Sequence, residues 1–387
     1  MTLKEIPYGR QQITERDIEA VVATLRSDYL TQGPKIEAFE EAFATYIGSK
    51  YAVAVANGTA ALHLSALALG VGLGKRVITT PLTFAASANS VLYCGGTVEF
   101  CDIDPQTLLL DINQVQQKLE NAPPGTYAGI IPVDFAGAAI DMEAFRALAD
   151  KYDLFLLEDS CHAPGGYFID SKGRKQHCGN GVFSDLAIFS FHPVKHIACG
   201  EGGMITTNNP ELYQKLLRLR THGITKNPEE LSKNDGGWYY EMQDLGYNYR
   251  LSDISCTLGL SQLERAAKNL SIRRSIAANY ADAFESMEEV QFMNTPSEGH
   301  AYHLAVVKVQ NRKALYDYLI THNIFTQVHY IPLHLQPFYQ KQLGTKVGDF
   351  PIVEDYYAQG LSLPIFPDLG DYHIEYIVKT IKKFFNG

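Results

Sequence analysis

The stretch Leu154-Phe155-Leu156-Leu157-Glu158-Asp159 is a run of four apolar residues that ends in two carboxylates. A short, uninterrupted apolar run of this kind reads as a strand buried on both faces, as in a parallel sheet. It delivers Asp159 at its carboxyl end. A bare buried carboxylate is costly, so Asp159 needs a partner.

Working back towards the N-terminus, the same unit recurs. A strand over 51–56 breaks at Asn57-Gly58 and restarts as a helix over 59–69. Strands over 77–79, 98–101 and 129–133 precede helices over 84–93, 111–120 and 141–152. Two helices come before them. Thr14 caps one running to residue 26, with Asp17 as its capping-box partner, and Pro34 opens another over 35–46. Repeated strand-then-helix spacing predicts an α/β fold with a mainly parallel sheet covered on both faces. Ligands of such sheets sit at the carboxyl ends of the strands. Asn57-Gly58-Thr59, Thr83-Phe84 and Asp159 all fall there.

Working forward, Phe189-Ser190-Phe191-His192-Pro193-Val194-Lys195 places a lone lysine in apolar surroundings, shortly before Gly200-Glu201-Gly202-Gly203. A strand over 203–207 and a helix over 211–220 follow. The polar 225–237 stretch reads as a mobile loop. A long helix over 252–284 is expected to break or bend inside. The remainder, 287–387, reads as a small α/β unit: strand 304–309, helix 312–322, strand 325–330 and closing helix 372–385. The expected division is a large domain over 1–250 and an interdomain helix with a small domain over 251–387.

With 387 residues the chain is too long for one ordinary core. A 46% hydrophobic and 20% charged composition excludes a disordered chain. The net charge of −10 argues against a general nucleic-acid binder. None of the six cysteines forms a C-x-x-C pair, so a zinc ribbon or disulfide framework is not indicated, and a reducing cytoplasm is expected. Lys4, Glu5 and Arg10 interrupt any apolar leader. Residues 77–98 lack charge over a length that can span a bilayer, but Pro81, Asn89, Gly95 and Gly96 favour a strand, loop and helix, and no membrane contact is expected.

Lys195 and Asp159 together suggest a pyridoxal phosphate (PLP) site. The amine would hold the aldehyde as a Schiff base, and the carboxylate would pair with the pyridinium nitrogen. Gly58 and Thr59 open a helix whose free N–H groups make a phosphate cup, or an ordinary cap. Ser190 is placed to reach the same phosphate. Asp159 reads equally as half of a structural salt bridge. Gly70-Val71-Gly72-Leu73-Gly74 follows a helix and precedes a strand, the reverse of a dinucleotide fingerprint, so NAD is discounted. Cys161-His162 and His177-Cys178 are adjacent pairs without metal-ligand spacing, and Pro332 breaks the helix that a His329/His334 zinc pair would need.

Seven ordered runs carry a resemblance. They are Tyr29-Leu30-Thr31-Gln32-Gly33-Pro34, Asn57-Gly58-Thr59-Ala60-Ala61-Leu62, Thr80-Pro81-Leu82-Thr83-Phe84, Glu158-Asp159-Ser160-Cys161-His162-Ala163, Ser190-Phe191-His192-Pro193-Val194-Lys195, Glu201-Gly202-Gly203 and Gly246-Tyr247-Asn248-Tyr249-Arg250-Leu251-Ser252-Asp253. With them the chain resembles the DegT/DnrJ/EryC1/StrS family of PLP-dependent sugar aminotransferases. The resemblance implies a fold type I homodimer with both active sites at the subunit interface. It implies Lys195 as the Schiff-base lysine, Asp159 on the pyridinium, His162 near the ring hydroxyl and Phe84 stacked on the ring. Gly58, Thr59 and Ser190 would hold the phosphate, with Asn248 contributed by the partner chain. Arg250 would clamp the carboxylate of glutamate as amino donor. Tyr8, Thr31, Gln32, His329 and Tyr330 are candidates for contacting a nucleotide sugar; for His329 and Tyr330 the alternative is plain loop packing.

Met242-Gln243-Asp244-Leu245-Gly246 and Val328-His329-Tyr330-Ile331-Pro332-Leu333-His334-Leu335-Gln336-Pro337 narrow the resemblance to transaminases of the pseudaminic acid type, acting on C4 of a UDP-linked 4-keto-6-deoxy-N-acetylhexosamine. Cys199-Gly200 departs from the family pattern, with consequences expected for loop packing alone. Two rivals are weaker. A sugar 3-dehydratase of this kind replaces the lysine by histidine, and here Lys195 is present. A non-enzymatic PLP-binding regulator would carry an added DNA-binding segment or a depleted site.

Overall fold

A computed structural model describes residues 5–293 and 297–386; residues 1–4, Lys4 among them, 294–296 and 387 lie outside that description. Five strands come first: β1 (Tyr51–Val55), β2 (Arg76–Thr79), β3 (Thr97–Phe100), β4 (Gly129–Ile131) and β5 (Phe155–Asp159). A hairpin, β6 (Tyr167–Ile169) and β7 (Lys175–His177), precedes β8 (Leu186–Ser190) and β9 (Gly203–Thr207). The hairpin stands apart, and the other seven strands form one sheet in the order β1-β9-β8-β5-β4-β2-β3. Only β9 runs against the rest, pairing antiparallel with both β1 and β8. The expected mainly parallel sheet is therefore present, its one antiparallel strand being β9, which follows the Lys195 loop and lies between β1 and β8.

The helices α1 (Glu15–Leu25), α2 (Pro34–Ile47), α3 (Gly58–Ala68), α4 (Ala85–Tyr93), α5 (Ile112–Glu120), α6 (Met142–Tyr152) and α7 (Pro210–Arg220) fall where the sequence pattern sets them. The capping box at Thr14 is formed: the Asp17 carboxylate accepts the Thr14 N–H at 2.8 Å, and the Thr14 hydroxyl accepts the Asp17 N–H at 3.4 Å. Strand alternation splits the core in two. On β5, Leu157 faces the cluster built with α3 and α4, while Leu156 faces the one built with α5 and α6. The uncharged 77–98 stretch is strand, turn and α4, and among the described residues no helix is long and apolar enough to cross a membrane.

A two-strand hairpin, β10 (Ile224–Thr225) with β11 (Glu241–Met242), brackets the polar 225–237 stretch. Glu241 accepts from the Ser232 N–H of this stretch at 3.0 Å and from the Tyr239 hydroxyl just beyond it at 2.7 Å. The long helix does break, into α8 (Asp253–Leu263) and α9 (Ala266–Phe284) at Glu264-Arg265.

The C-terminal part contains β12 (Val290–Phe292), β13 (Ala305–Val309), α10 (Arg312–Thr321), α11 (Pro337–Leu343), α12 (Pro351–Gln359), β14 (Gly360–Leu363) and α13 (Asp371–Asn386). Its three strands form an antiparallel sheet, β12-β13-β14. The strand expected over 325–330 is absent. Gln327 makes one bridge to Ser362, and the chain then turns His329 and Tyr330 towards the large sheet. Burial of His329 and partial burial of Tyr330, with Pro332 just beyond, win over local strand propensity.

Candidate active site

A cavity of about 500 Å³ opens where β1, β2, β5 and β8 end. Lys195 enters it from the loop after β8. That loop is pinned to the next strand, since Phe191 N–H donates to Gly202 O at 2.8 Å and Cys199 N–H to Phe191 O at 2.9 Å. Cys199 itself packs among Phe39, Phe43 and Phe191, so the Cys199-Gly200 departure is a matter of packing. Desolvation draws the Lys195 amine below the usual lysine range, against the opposing pull of Cys161 and Asp159. Its Nζ lies 3.4 Å from His303 Nε2.

Asp159 is buried at the end of β5, with Oδ2 accepting from the Ser87 hydroxyl at 2.6 Å and Oδ1 from the Cys161 N–H at 3.2 Å. Ser87 spends its one proton on the carboxylate, so Thr83, 2.8 Å away, donates to Ser87. Among the described residues no cation lies within ion-pair distance of Asp159. The salt-bridge alternative thus has no partner, and a buried carboxylate is left facing the cavity.

His162 Nδ1 accepts the Ala136 N–H at 3.2 Å. The ring proton therefore sits on Nε2, which donates to the Tyr330 oxygen at 3.2 Å. Burial and the nearby Lys195 charge hold His162 neutral, well below the usual histidine range. Phe84, just before α4, is 61% exposed yet lines the cavity, with its ring 6.1 Å from that of Tyr330.

The start of α3 is a notch that lines the cavity. The Asn57 side chain accepts from the Ala60 N–H at 2.8 Å, and the Asn57 carbonyl accepts from Ala61, which leaves the Gly58 and Thr59 N–H groups free of helix partners. A Cβ at Gly58 would stand 3.0 Å from the Ser190 Cβ, so glycine is what lets the Ser190 hydroxyl approach the helix mouth. Lysine, unpaired aspartate and this notch fit PLP in donor set and in shape.

Tyr8, His329 and Tyr330 also line the cavity. Tyr8 and His329 rings are 5.3 Å apart, and His329 Nδ1 is 2.9 Å from Ser362 Oγ. Burial pushes His329 down to about 3. The remaining expected residues stand elsewhere in a single chain. Thr31, Gln32 and Asn248 are exposed and Arg250 is half-buried, and none of the four lines the cavity. Thr31 pairs with Ser252, Asn248 with Thr221 and Arg250 with Val55. Exposed apolar side chains flank them along the chain: Leu25, Tyr29 and Leu30 on one side, Trp238, Tyr240, Met242 and Leu245 on the other.

Sequence reasoning missed His303 and Ser87. His303 is brought to Lys195 from 108 residues away, with no local signal. Ser87 had one: it sits four residues after Thr83, one helical turn along the segment that delivers Phe84. Cys178, discounted with His177 as a metal pair, lies instead with Asp134 and Glu158 on the other side of β5. Those carboxyls are satisfied by Ile140 N–H, Ser160, Gly179 N–H and Ser184.

A family model described as the DegT/DnrJ/EryC1/StrS aminotransferase family matches residues 11–382. The chain belongs to this family. It is accordingly an aminotransferase that works with PLP. It is 38% identical to the spore coat polysaccharide biosynthesis protein SpsC of Bacillus subtilis over 99% of this chain and 97% of that protein. It is 37% identical to a UDP-4-amino-4,6-dideoxy-N-acetyl-beta-L-altrosamine transaminase of Campylobacter jejuni over 97% of this chain and 96% of that protein. Among solved structures, the PMP form of a sugar aminotransferase, Spr1654 of Streptococcus pneumoniae, superposes with a TM-score of 0.89 at 30% identity, covering 98% of both chains. PseC of Helicobacter pylori, an aminotransferase of pseudaminic acid biosynthesis, gives 0.86 at 29% identity over 99% of this chain and 100% of that one.

Proposed function

We propose that this aminotransferase moves an amino group from glutamate to the C4 keto group of a UDP-linked 4-keto-6-deoxy-N-acetylhexosamine. The observation that carries the chemistry is a lysine and an unpaired buried carboxylate facing one cavity beside a helix N-terminus. The substrate class is supported by full-length similarity to the Campylobacter jejuni transaminase and to PseC.

When bound, PLP supplies an electron sink and carries the amino group between donor and acceptor. Lys195 would hold its aldehyde end and, once released, move the proton at the substrate carbon as base and then acid. Asp159 would balance the positive ring nitrogen, with Ser87 and Thr83 fixing its orientation. His162 would present its Nε2 proton near the ring hydroxyl, and Phe84 would cover one ring face. Gly58 and Thr59 N–H groups with the Ser190 hydroxyl would take the phosphate. Tyr8, His329 and Tyr330 would meet the sugar nucleotide.

The active enzyme is proposed to be a homodimer. A second copy would cover the exposed apolar side chains around Thr31, Gln32, Asn248 and Arg250 and bring these residues to the mouth of its partner's cavity. Asn248 would then add to the phosphate site, and Arg250 would fork the donor carboxylate.

A second reading is an aminotransferase for another nucleotide-linked keto sugar, favoured by the similarity to a spore coat polysaccharide protein. A half-reaction assay separates the two. Glutamate is expected to convert the cofactor spectrum to the pyridoxamine form, and the UDP-linked 4-keto sugar to reverse it with an aminosugar detected by mass spectrometry. Conversion without reversal rejects this sugar and favours the second reading. No response to glutamate, with PLP supplied, rejects the assigned activity and favours a regulator.

A further inference from the structure

Lys195 has an unusual neighbour for a catalytic amine. Among the described residues the only hydrogen-bond partner of its Nζ is an imidazole, His303 Nε2 at 3.4 Å, and no carboxylate lies within ion-pair distance of that atom. His303 is 4% exposed and lines the cavity. It is held from behind on three sides. Its ring packs against His162 with centroids 4.3 Å apart. The fully buried Arg273, on α9, donates to the carbonyls of Tyr302 at 3.3 Å and His303 at 3.5 Å. The flanking backbone is tied to the turn after β4, since Ala301 N–H donates to Gly137 O at 2.7 Å and Leu304 N–H to Ala136 O at 3.2 Å.

The chemistry of the pair differs from that of a lysine–carboxylate bridge. A carboxylate only accepts, so it favours the ammonium. A neutral imidazole accepts from the ammonium when Nε2 is bare, and donates to the free amine when Nε2 carries the proton. It can therefore hold Nζ in both protonation states, favouring the ammonium as an acceptor but less strongly than a carboxylate would. His303 stays neutral to do this: burial, Lys195, His162, His196 and Arg273 all oppose its charging. Acting on Lys195 itself are burial, Cys161 and Asp159, and the Lys195 charge is felt by His329 across the cavity.

We infer that His303 is a further catalytic residue, the docking partner that holds the Lys195 amine whenever it is not joined to the cofactor. This rests on the assignment of Lys195 as the cofactor-holding lysine. In the docked ammonium state one N–H of Nζ points at His303 Nε2. Loss of that proton to solvent frees the lone pair to attack, and attachment joins Nζ to the aldehyde carbon and releases one water.

The test uses apoenzyme and PLP, and reads capture of the cofactor rather than turnover. Attached cofactor is trapped with borohydride and counted by intact mass, and the capture rate is followed against pH. Attack needs the neutral amine, so the acid limb reports the Lys195 pKa; the cofactor's own titration is common to all variants. His303→Phe keeps a ring against His162 but removes the acceptor that stabilises the ammonium. Its limb is expected to move to lower pH by about one unit, a tenfold change in the ionisation constant. His303→Gln, which restores an acceptor, is expected to bring the limb back. Capture that slows equally at every pH in His303→Phe, or a limb that stays in place, overturns the inference. Should His303→Phe fail to fold, the Gln variant is compared with His303→Leu. Lys195→Ala is the control for the underlying assignment: abolished capture upholds it whatever the His303 variants do, and undiminished capture rejects it.

Discussion

Two regions that the family resemblance assigns to one site are built in opposite ways. Around β5 and the Lys195 loop, polar groups are buried and nearly all are paired: Thr83 to Ser87, Ser87 to Asp159, Ala136 to His162, His162 to Tyr330. The 25–33 and 238–250 segments instead hold polar residues in the open, among exposed tyrosines, leucines and a tryptophan. The first region is preorganised within one chain, where low dielectric strengthens each contact. The second would gain burial only from another surface. On the proposed reading one chain holds most of the cofactor end of the site, and a second copy would add Asn248 to the phosphate and supply the donor end.

Substitutions in the first region should act on chemistry and cofactor. Lys195→Ala is expected to reduce turnover by at least about 10⁴-fold while far-UV circular dichroism is unchanged; activity near wild type would remove Lys195 from the centre. On the proposed assignment Asp159→Asn would delete one half of a buried charge pair with the cofactor, at a cost of roughly 3–5 kcal/mol, or about 10²–10⁴ in PLP affinity. Equilibrium titration of the apoenzyme measures it.

In the second region Arg250→Ala should leave PLP affinity alone. It should raise the glutamate KM by about tenfold or more, the loss expected for hydrogen bonds to a charged group. An unchanged KM for glutamate would take Arg250 out of donor recognition.

Stability against pH separates the regions further. His329 stays neutral in the folded chain down to about 3, whereas an unfolded histidine takes its proton near 6.5. The unfolded state therefore binds more protons between those values, and stability falls as pH drops through that window, by up to about 1.4 kcal/mol per pH unit for one such group. Burial lowers His162, His196 and His303 too, so they add in the same direction. Urea unfolding should show a steep acid side that His329→Asn makes shallower; identical slopes would mean that His329 is not buried neutral. The smallest effect belongs to Thr14→Ala, far from both regions. It removes the cap of α1 and should cost about 1 kcal/mol with no change in kinetics.

Much of this contrast was legible in the chain. The apolar run before Asp159, the Gly58-Thr59 helix start and the isolated Lys195 follow from local pattern, because strand ends and helix starts are local events. The Thr14 capping box and the break in the 252–284 helix were local too. Residues 325–330 were misread because their apolar, β-branched character suits a strand, while tertiary contacts of His329 with Ser362 and of Tyr330 with His162 decide their path. His303 was invisible for a related reason: nothing near it in sequence marks a residue that the fold carries to Lys195. The place of Thr31, Gln32, Asn248 and Arg250 could be read only by resemblance, since no contact within one chain brings them to the cavity.

The most direct test of a site completed by a second copy is subunit mixing. Lys195→Ala chains and Asn248→Ala/Arg250→Ala chains, each inactive or impaired alone, are co-expressed with different affinity tags, and the mixed dimer is isolated. If Asn248 and Arg250 serve the partner's cavity, one of its two sites is intact, and the mixed dimer should show about half the wild-type activity by the symmetry of a two-fold assembly. A mixed dimer no more active than the average of its parents, or no mixed dimer at all, would contradict the account.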